Sequence, residues 1–148
     1  MVMDYAPGET EERSGEAFSG AEARLLGSML RAVGESVEEA YLAYFSPWRS
    51  AGGQQLAPHL AAALVPFAKR HIALARPKRL LTFGDVAKLL LDGNDAPTSL
   101  YGRRLEANFD GVGVTAFAAP TPGAALRIGA LKRGAWRSLR KMAAASEA

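Results

Sequence analysis

The stretch MVMDYAPGETEERSGEAFSG, Met1 to Gly20, is where the fold of this chain is read most directly. Met1 to Tyr5 has the apolar and aromatic content of a short strand, and Ala6-Pro7-Gly8 breaks it into a loop crowded with charge, Glu9 to Glu16. Ser19 and Glu22 then stand at the S-x-x-E spacing of a capping box. Beyond them Leu25, Leu26, Met29, Leu30 and Val33 mark one apolar face of a helix that stops at Gly34.

The same alternation continues outward. Ala40 to Phe45 is apolar without polar interruption, as in a strand buried on both faces, and Ser46 to Gln54 is a loop. Pro58 to Ala75 predicts helix with Pro58 in the first turn and a kink or division at Pro66. Arg79 to Phe83 is a third strand, Asp85 to Leu91 a short helix, Asp92 to Tyr101 a loop, Val112 to Ala118 a fourth strand and Ala130 to Ala145 a last helix. Strands and helices in turn imply a three-layer α/β/α sandwich around a four-stranded parallel sheet. Any site is then expected where loops leave the strands' carboxyl ends: Tyr5 to Phe18, Tyr44 to Gly52, Gly84, and Pro120 to Leu126.

Composition narrows the function classes. At 148 residues and 49% hydrophobic content the chain suits one domain, 1–148, with one core. No run of about 18 apolar residues occurs and Met1 to Gly8 has no signal-peptide character, so a soluble, cytoplasmic protein without membrane contact is expected. Cysteine is absent, leaving only His59 and His71 as nitrogen ligands, so no metal and no cofactor are expected. Charge is uneven: Met1 to Arg24 carries six acids against two bases, whereas Arg127 to Lys141 carries six bases and no acid. That basic segment reads either as a surface for a phosphate backbone or as the solvated face of a terminal helix.

Several strand-end loops, taken together, resemble motifs of the uracil-DNA glycosylases, most closely the small bacterial and archaeal class that carries an iron–sulfur cluster. Ala6 to Gly20 is similar to that family's water-activating loop, G-E-x-P-G followed by acids, G-x-P-F-x-G and a helix. Tyr41 to Arg49 with Pro66-Phe67 downstream resembles its strand ending in Asn, a proline-containing loop and a P-F-L helix. Pro77 to Gly84 resembles its P-K-x-I-x-x-L-G strand, and Thr121 to Arg127 with Ala130-Leu131-Lys132-Arg133 and Trp136 resembles H-P-(S/A)-x-L-L-R and the closing A-L-K-R-x-x-W helix.

The resemblance implies excision of uracil from a flipped nucleotide, with DNA, uracil-containing or single-stranded, as partner. Its site residues carry over position by position. Glu11 stands at the second acidic position of the water loop and Phe18 at the base-stacking position, both retained. Tyr5 stands where the family has its first Glu, Tyr44 where an Asn amide reads uracil, and Thr121 where a His donates to the uracil oxygen. Loss of such a donor typically slows the reaction by about a hundredfold to a thousandfold. Ala125 stands where a Leu wedges into the gap left by the base, with Leu126 beside it as a substitute. Arg49, Arg127, Lys132 and Arg133 are the candidate DNA-binding cations. Trp48 and Leu64 replace two cluster cysteines and are expected to fill the vacated volume. The segment bearing the other two is expected to be missing, since the chain starts at the first strand.

Each of these residues has a plainer reading as well. Glu11 reads as a catalytic carboxylate or as one more solvated charge beside Glu9, Glu12 and Glu16; Phe18 reads as platform or core. Tyr5 and Tyr44 are expected to fill and close the pocket, because a phenol with a pKa of about 10 is a poor base at neutral pH. Three readings follow: a catalytically impaired member of the superfamily with weak DNA affinity, an active divergent glycosylase using Glu11 and Phe18, or a protein-interaction module.

Overall fold

The computed structural model describes residues 1–91 and 96–145. One sheet holds β1 (Val2–Asp4), β2 (Leu42–Tyr44), β3 (Arg79–Phe83), β4 (Leu105–Phe109) and β5 (Val112–Ala119), in spatial order β2-β1-β3-β5-β4. Around it lie α1 (Glu9–Ser14), α2 (Gly20–Arg31), α3 (Pro58–Ala75), α4 (Asp85–Leu90), α5 (Pro97–Leu100), α6 (Pro122–Arg127) and α7 (Gly129–Ala144). β1, β2, β3 and β5 run parallel, as the alternating pattern predicts. Among the described residues no helix is long and apolar enough to cross a membrane.

Both faces of the sheet are covered. Met3, Ala43, Phe45 and Leu80 pack with Ile72 of α3 and Val86 and Leu90 of α4. Val2, Leu81, Phe83 and Phe117 pack on the other face with Leu26 and Leu30 of α2 and Leu139 and Met142 of α7. Neighbours such as Val2 and Met3, or Leu80 and Leu81, divide between the faces because successive side chains on a strand point opposite ways. Burial of each large side chain contributes about 1.5–3 kcal/mol. The pleat also decides the site, since Asp4 follows Val2 towards α2 while Tyr5 follows Met3 towards α3.

The structure corrects the sequence reading in several places. The sheet has five strands, not four: Leu105, Ala107 and Phe109 alternate with Glu106 and Asn108, and β4 pairs antiparallel with β5. Asp110 and Gly111 join them as a two-residue hairpin with φ of 49° and 85°, and the Gly111 amide donates to Asn108 Oδ1 at 2.9 Å. The charged loop after Gly8 contains a helix, α1, and Pro97–Leu100 forms another within a segment expected to be loop. The first part of that expected loop, residues 92–95, lies outside the described residues. Helix α3 runs through Pro66 without division.

The capping box expected at Ser19 and Glu22 does not form. Ser19 is the N-cap of α2 but makes no side-chain cap bond. Glu22 reaches instead to α6, where a Cβ added at Gly123 would lie 2.3 Å from its carboxylate, so only glycine fits that approach.

Candidate active site

The carboxyl ends of β1 and β2 open into a cavity of about 330 Å³ bordered by α1, α2 and α6. Asp4, Glu11, Phe18, Ser19, Glu22, Tyr44 and Pro122 line it. Asp4, to which no sequence motif points, carries a strongly perturbed carboxyl. Burial pushes the carboxyl from its ordinary value of 3.8 up to about 6, opposed by the Tyr5 amide and aided by the Glu22 and Glu11 carboxylates. The Tyr5 amide donates to Asp4 Oδ1 at 2.7 Å. A carboxyl poised near neutrality within a cleft is suited to exchange protons. The sequence signal for it was the strand period, which puts Asp4 on the same face as Val2.

Tyr5 leaves this cavity. The pleat turns it to the α3 side, where its ring packs on Phe45 at 5.7 Å and its hydroxyl accepts from the Leu56 amide at 3.1 Å. It braces the chain ahead of α3 and does not meet Glu11, Phe18 or Tyr44 in the cavity, contrary to its grouping with the catalytic positions.

Glu11 lies in the cavity wall with both carboxylate oxygens engaged. Oε2 accepts at 3.0 Å from the amide of Gly8, the N-cap of α1, and Oε1 accepts from the Ser19 amide at 2.9 Å at the start of α2. It is therefore a clasp between two helix starts rather than a solvated charge. Glu11→Ala is expected to leave the part-buried Ser19 amide unpaired and the exposed Gly8 amide to water, and to cost about 1–2 kcal/mol, with Glu11→Gln recovering part of that; urea denaturation of the two variants checks it.

Phe18 is held with φ at 53°, a left-handed conformation that costs a bulky residue roughly 1–3 kcal/mol. Two contacts to Tyr44 help hold it. The Phe18 amide donates to Tyr44 Oη at 2.8 Å, and the two rings stack with centroids 4.8 Å apart and 11° between planes. Chiefly through burial, the Tyr44 hydroxyl is pushed up to about 12, so it stays a neutral phenol near neutral pH. One face of the Phe18 ring is thus covered by another residue of the same chain.

The remaining positions spread around the rim. Thr121 is the N-cap of α6: its Oγ1 accepts from the Ala124 amide at 3.1 Å, and its methyl packs close to Gly84. Ala125 is 1% exposed, so it faces the interior and is not available as a wedge; Leu126, 47% exposed, is the neighbour that reaches outward. Arg49 pairs with Glu12 at 3.3 Å beside the loop after β2. Arg127, Lys132 and Arg133 are exposed along α6 and the start of α7. Trp48 is 52% exposed and so does not fill an interior volume, whereas Leu64 does pack against the core.

The structure brings Glu11, Phe18 and Tyr44 together with Asp4, and leaves Tyr5 on the opposite face of the sheet. Loops at the carboxyl ends of parallel strands, in a mostly parallel sheet covered on both faces, place the chain in the class of doubly wound α/β folds. Within that class the chain matches the family model of the Uracil DNA glycosylase superfamily over residues 1–140, and it belongs to that family. No curated protein matches it.

Proposed function

We propose that this chain is a DNA-binding member of the superfamily that does not excise uracil, because its own Tyr44 occupies the place a flipped base would take. The stack of Tyr44 on Phe18, fixed by the bond from the Phe18 amide to Tyr44 Oη, carries this reading. A base would have to displace both contacts to reach the Phe18 face. The chemistry around the stack points the same way. Both Glu11 oxygens are committed to backbone amides, and Thr121 presents a short hydroxyl already used as a cap. Asp4, Glu9, Glu11 and Glu22 also line the cavity, and so many acids repel an approaching phosphate.

Arg49, Arg127, Lys132 and Arg133 then supply contact to the backbone of DNA rather than to a base. Fluorescence anisotropy with matched duplexes tests this reading. Equal affinity for uracil-containing and thymine-containing DNA, falling with salt, is expected. A clear preference for the uracil-containing duplex would overturn it.

One observation favours a second reading, an active and divergent glycosylase. Asp4, with its carboxyl near 6, lies in the same cavity as Phe18 and could hold a water where the resemblance places Glu11. In that case uracil release would follow the ionisation of Asp4 and disappear in Asp4→Asn.

A further inference from the structure

Helix α7 presents two unlike stripes. Ala135, Ser138, Leu139 and Met142 are buried against the sheet and α2. On the outer side, a groove of about 490 Å³ is lined by Arg133, Trp136, Arg137, Arg140, Lys141 and Ala144. None of these four cations has an ion-pair partner among the described residues. Spacings of three and four residues bring Arg133 beside Arg137, and Arg137 beside Arg140 and Lys141, so the like charges repel until an anion arrives. Trp136 sits among them, 43% exposed.

The track is anchored as well as charged. The stem of Arg137 lies over Gly102, where φ is 76° and an added Cβ would fall 2.4 Å from Arg137 Cδ. The Gly102 amide donates to Ser138 Oγ at 2.8 Å, and Ser138 Oγ donates to the Ala118 carbonyl of β5 at 2.6 Å. That hydrogen-bond chain fixes the helix and the segment supporting it to the sheet.

We propose that the outer face of α7 is a binding track for single-stranded nucleic acid, with Trp136 as the stacking platform and Arg133, Arg137, Arg140 and Lys141 following the phosphates. From residue 133 to 141 a helix rises about 12 Å, the axial length of roughly three or four stacked nucleotides. An aromatic ring among guanidinium groups matches what unpaired bases offer, a π face beside a phosphate. An acidic peptide would satisfy the cations and leave the ring unused. A membrane surface calls for a broad apolar stripe, and this face carries one large apolar side chain amid four charges. The track shares Arg133 with the DNA contacts proposed above and so rests on the DNA-binding reading, though not on the closed base pocket; a duplex that binds while oligothymidylate leaves Trp136 unquenched defeats the track alone.

The test uses the full chain with Trp48→Phe, so that fluorescence reports Trp136 alone, titrated with a short oligothymidylate at several salt concentrations. Quenching is expected, with log affinity falling against log salt at a slope of about −2 to −3, roughly −0.7 for each neutralised phosphate. In the wild-type chain, anisotropy of labelled oligothymidylate gives the variants: Trp136→Ala is expected to weaken binding about tenfold or more, and Trp136→Phe to keep much of it. The double variant Arg137→Ala, Arg140→Ala is expected to flatten the slope by about 1.4. Circular dichroism verifies that each variant is folded. Absence of quenching, binding indifferent to Trp136→Ala, or stronger quenching by oligoglutamate or by phosphatidylserine vesicles would each overturn the proposal.

Discussion

Asp4→Asn is expected to stabilise the protein by about 2–3 kcal/mol at pH 7.5, a rise of roughly 5–10 °C in Tm for a domain of this size. The carboxyl is held at about 6 in the folded chain against 3.8 ordinarily, because the cavity wall shields it from water. A carboxyl whose folded pKa lies above its unfolded value binds its proton more tightly when folded. Its contribution is therefore complete below about pH 4 and is lost as the pH rises through about 6. Asparagine keeps an oxygen for the Tyr5 amide and carries no charge to bury. Thermal unfolding of both proteins from pH 4 to 8 checks this: the wild-type Tm falls across that interval by more than the variant's. Parallel curves would mean that Asp4 is solvated and that the cavity does not shield it.

Tyr44→Ala is expected to lose about 2–4 kcal/mol. The Phe18 amide would lose its partner, at about 1–3 kcal/mol, and the ring pair would vanish, at about 0.5–1.5 kcal/mol. Phe18 would then hold its left-handed backbone without the contacts that fix it. Tyr44→Phe separates the two contributions, since it keeps the stack and removes the hydroxyl, and about 1–2 kcal/mol is expected there. Urea denaturation measures both. A loss in Tyr44→Ala no larger than in Tyr44→Phe would show that the ring stack contributes nothing.

Much of the architecture was legible in the sequence because it rests on period and punctuation. The apolar runs of β3 and β5, the Ser19 to Gly34 helical face and the Pro58 start of α3 all reappear in the structure. β4 is also written there, as alternation followed by Asp110-Gly111, yet its single apolar face and short length gave a weak signal beside the buried parallel strands.

The site was harder to read, for a different reason. Motif position pointed to Tyr5 as heir of an acid, but the pleat turns Tyr5 to α3 and presents Asp4 to the cavity. Glu11 is held by backbone amides, and amides carry no side-chain signature. The contact between Phe18 and Tyr44 joins residues 26 apart in the chain and depends on how the loop after β1 folds over β2.

The proposed function turns on whether the Phe18 face is available to a base. Its most direct test is a single-turnover excision assay, with protein in excess over single- and double-stranded oligonucleotides containing uracil and alkali to reveal abasic sites. Occupation of that face by Tyr44 predicts no cleavage above the protein-free control from well-folded wild-type chain. Cleavage that disappears in both Asp4→Asn and Phe18→Ala would contradict the account, showing that a base reaches Phe18 and that Asp4 serves the reaction.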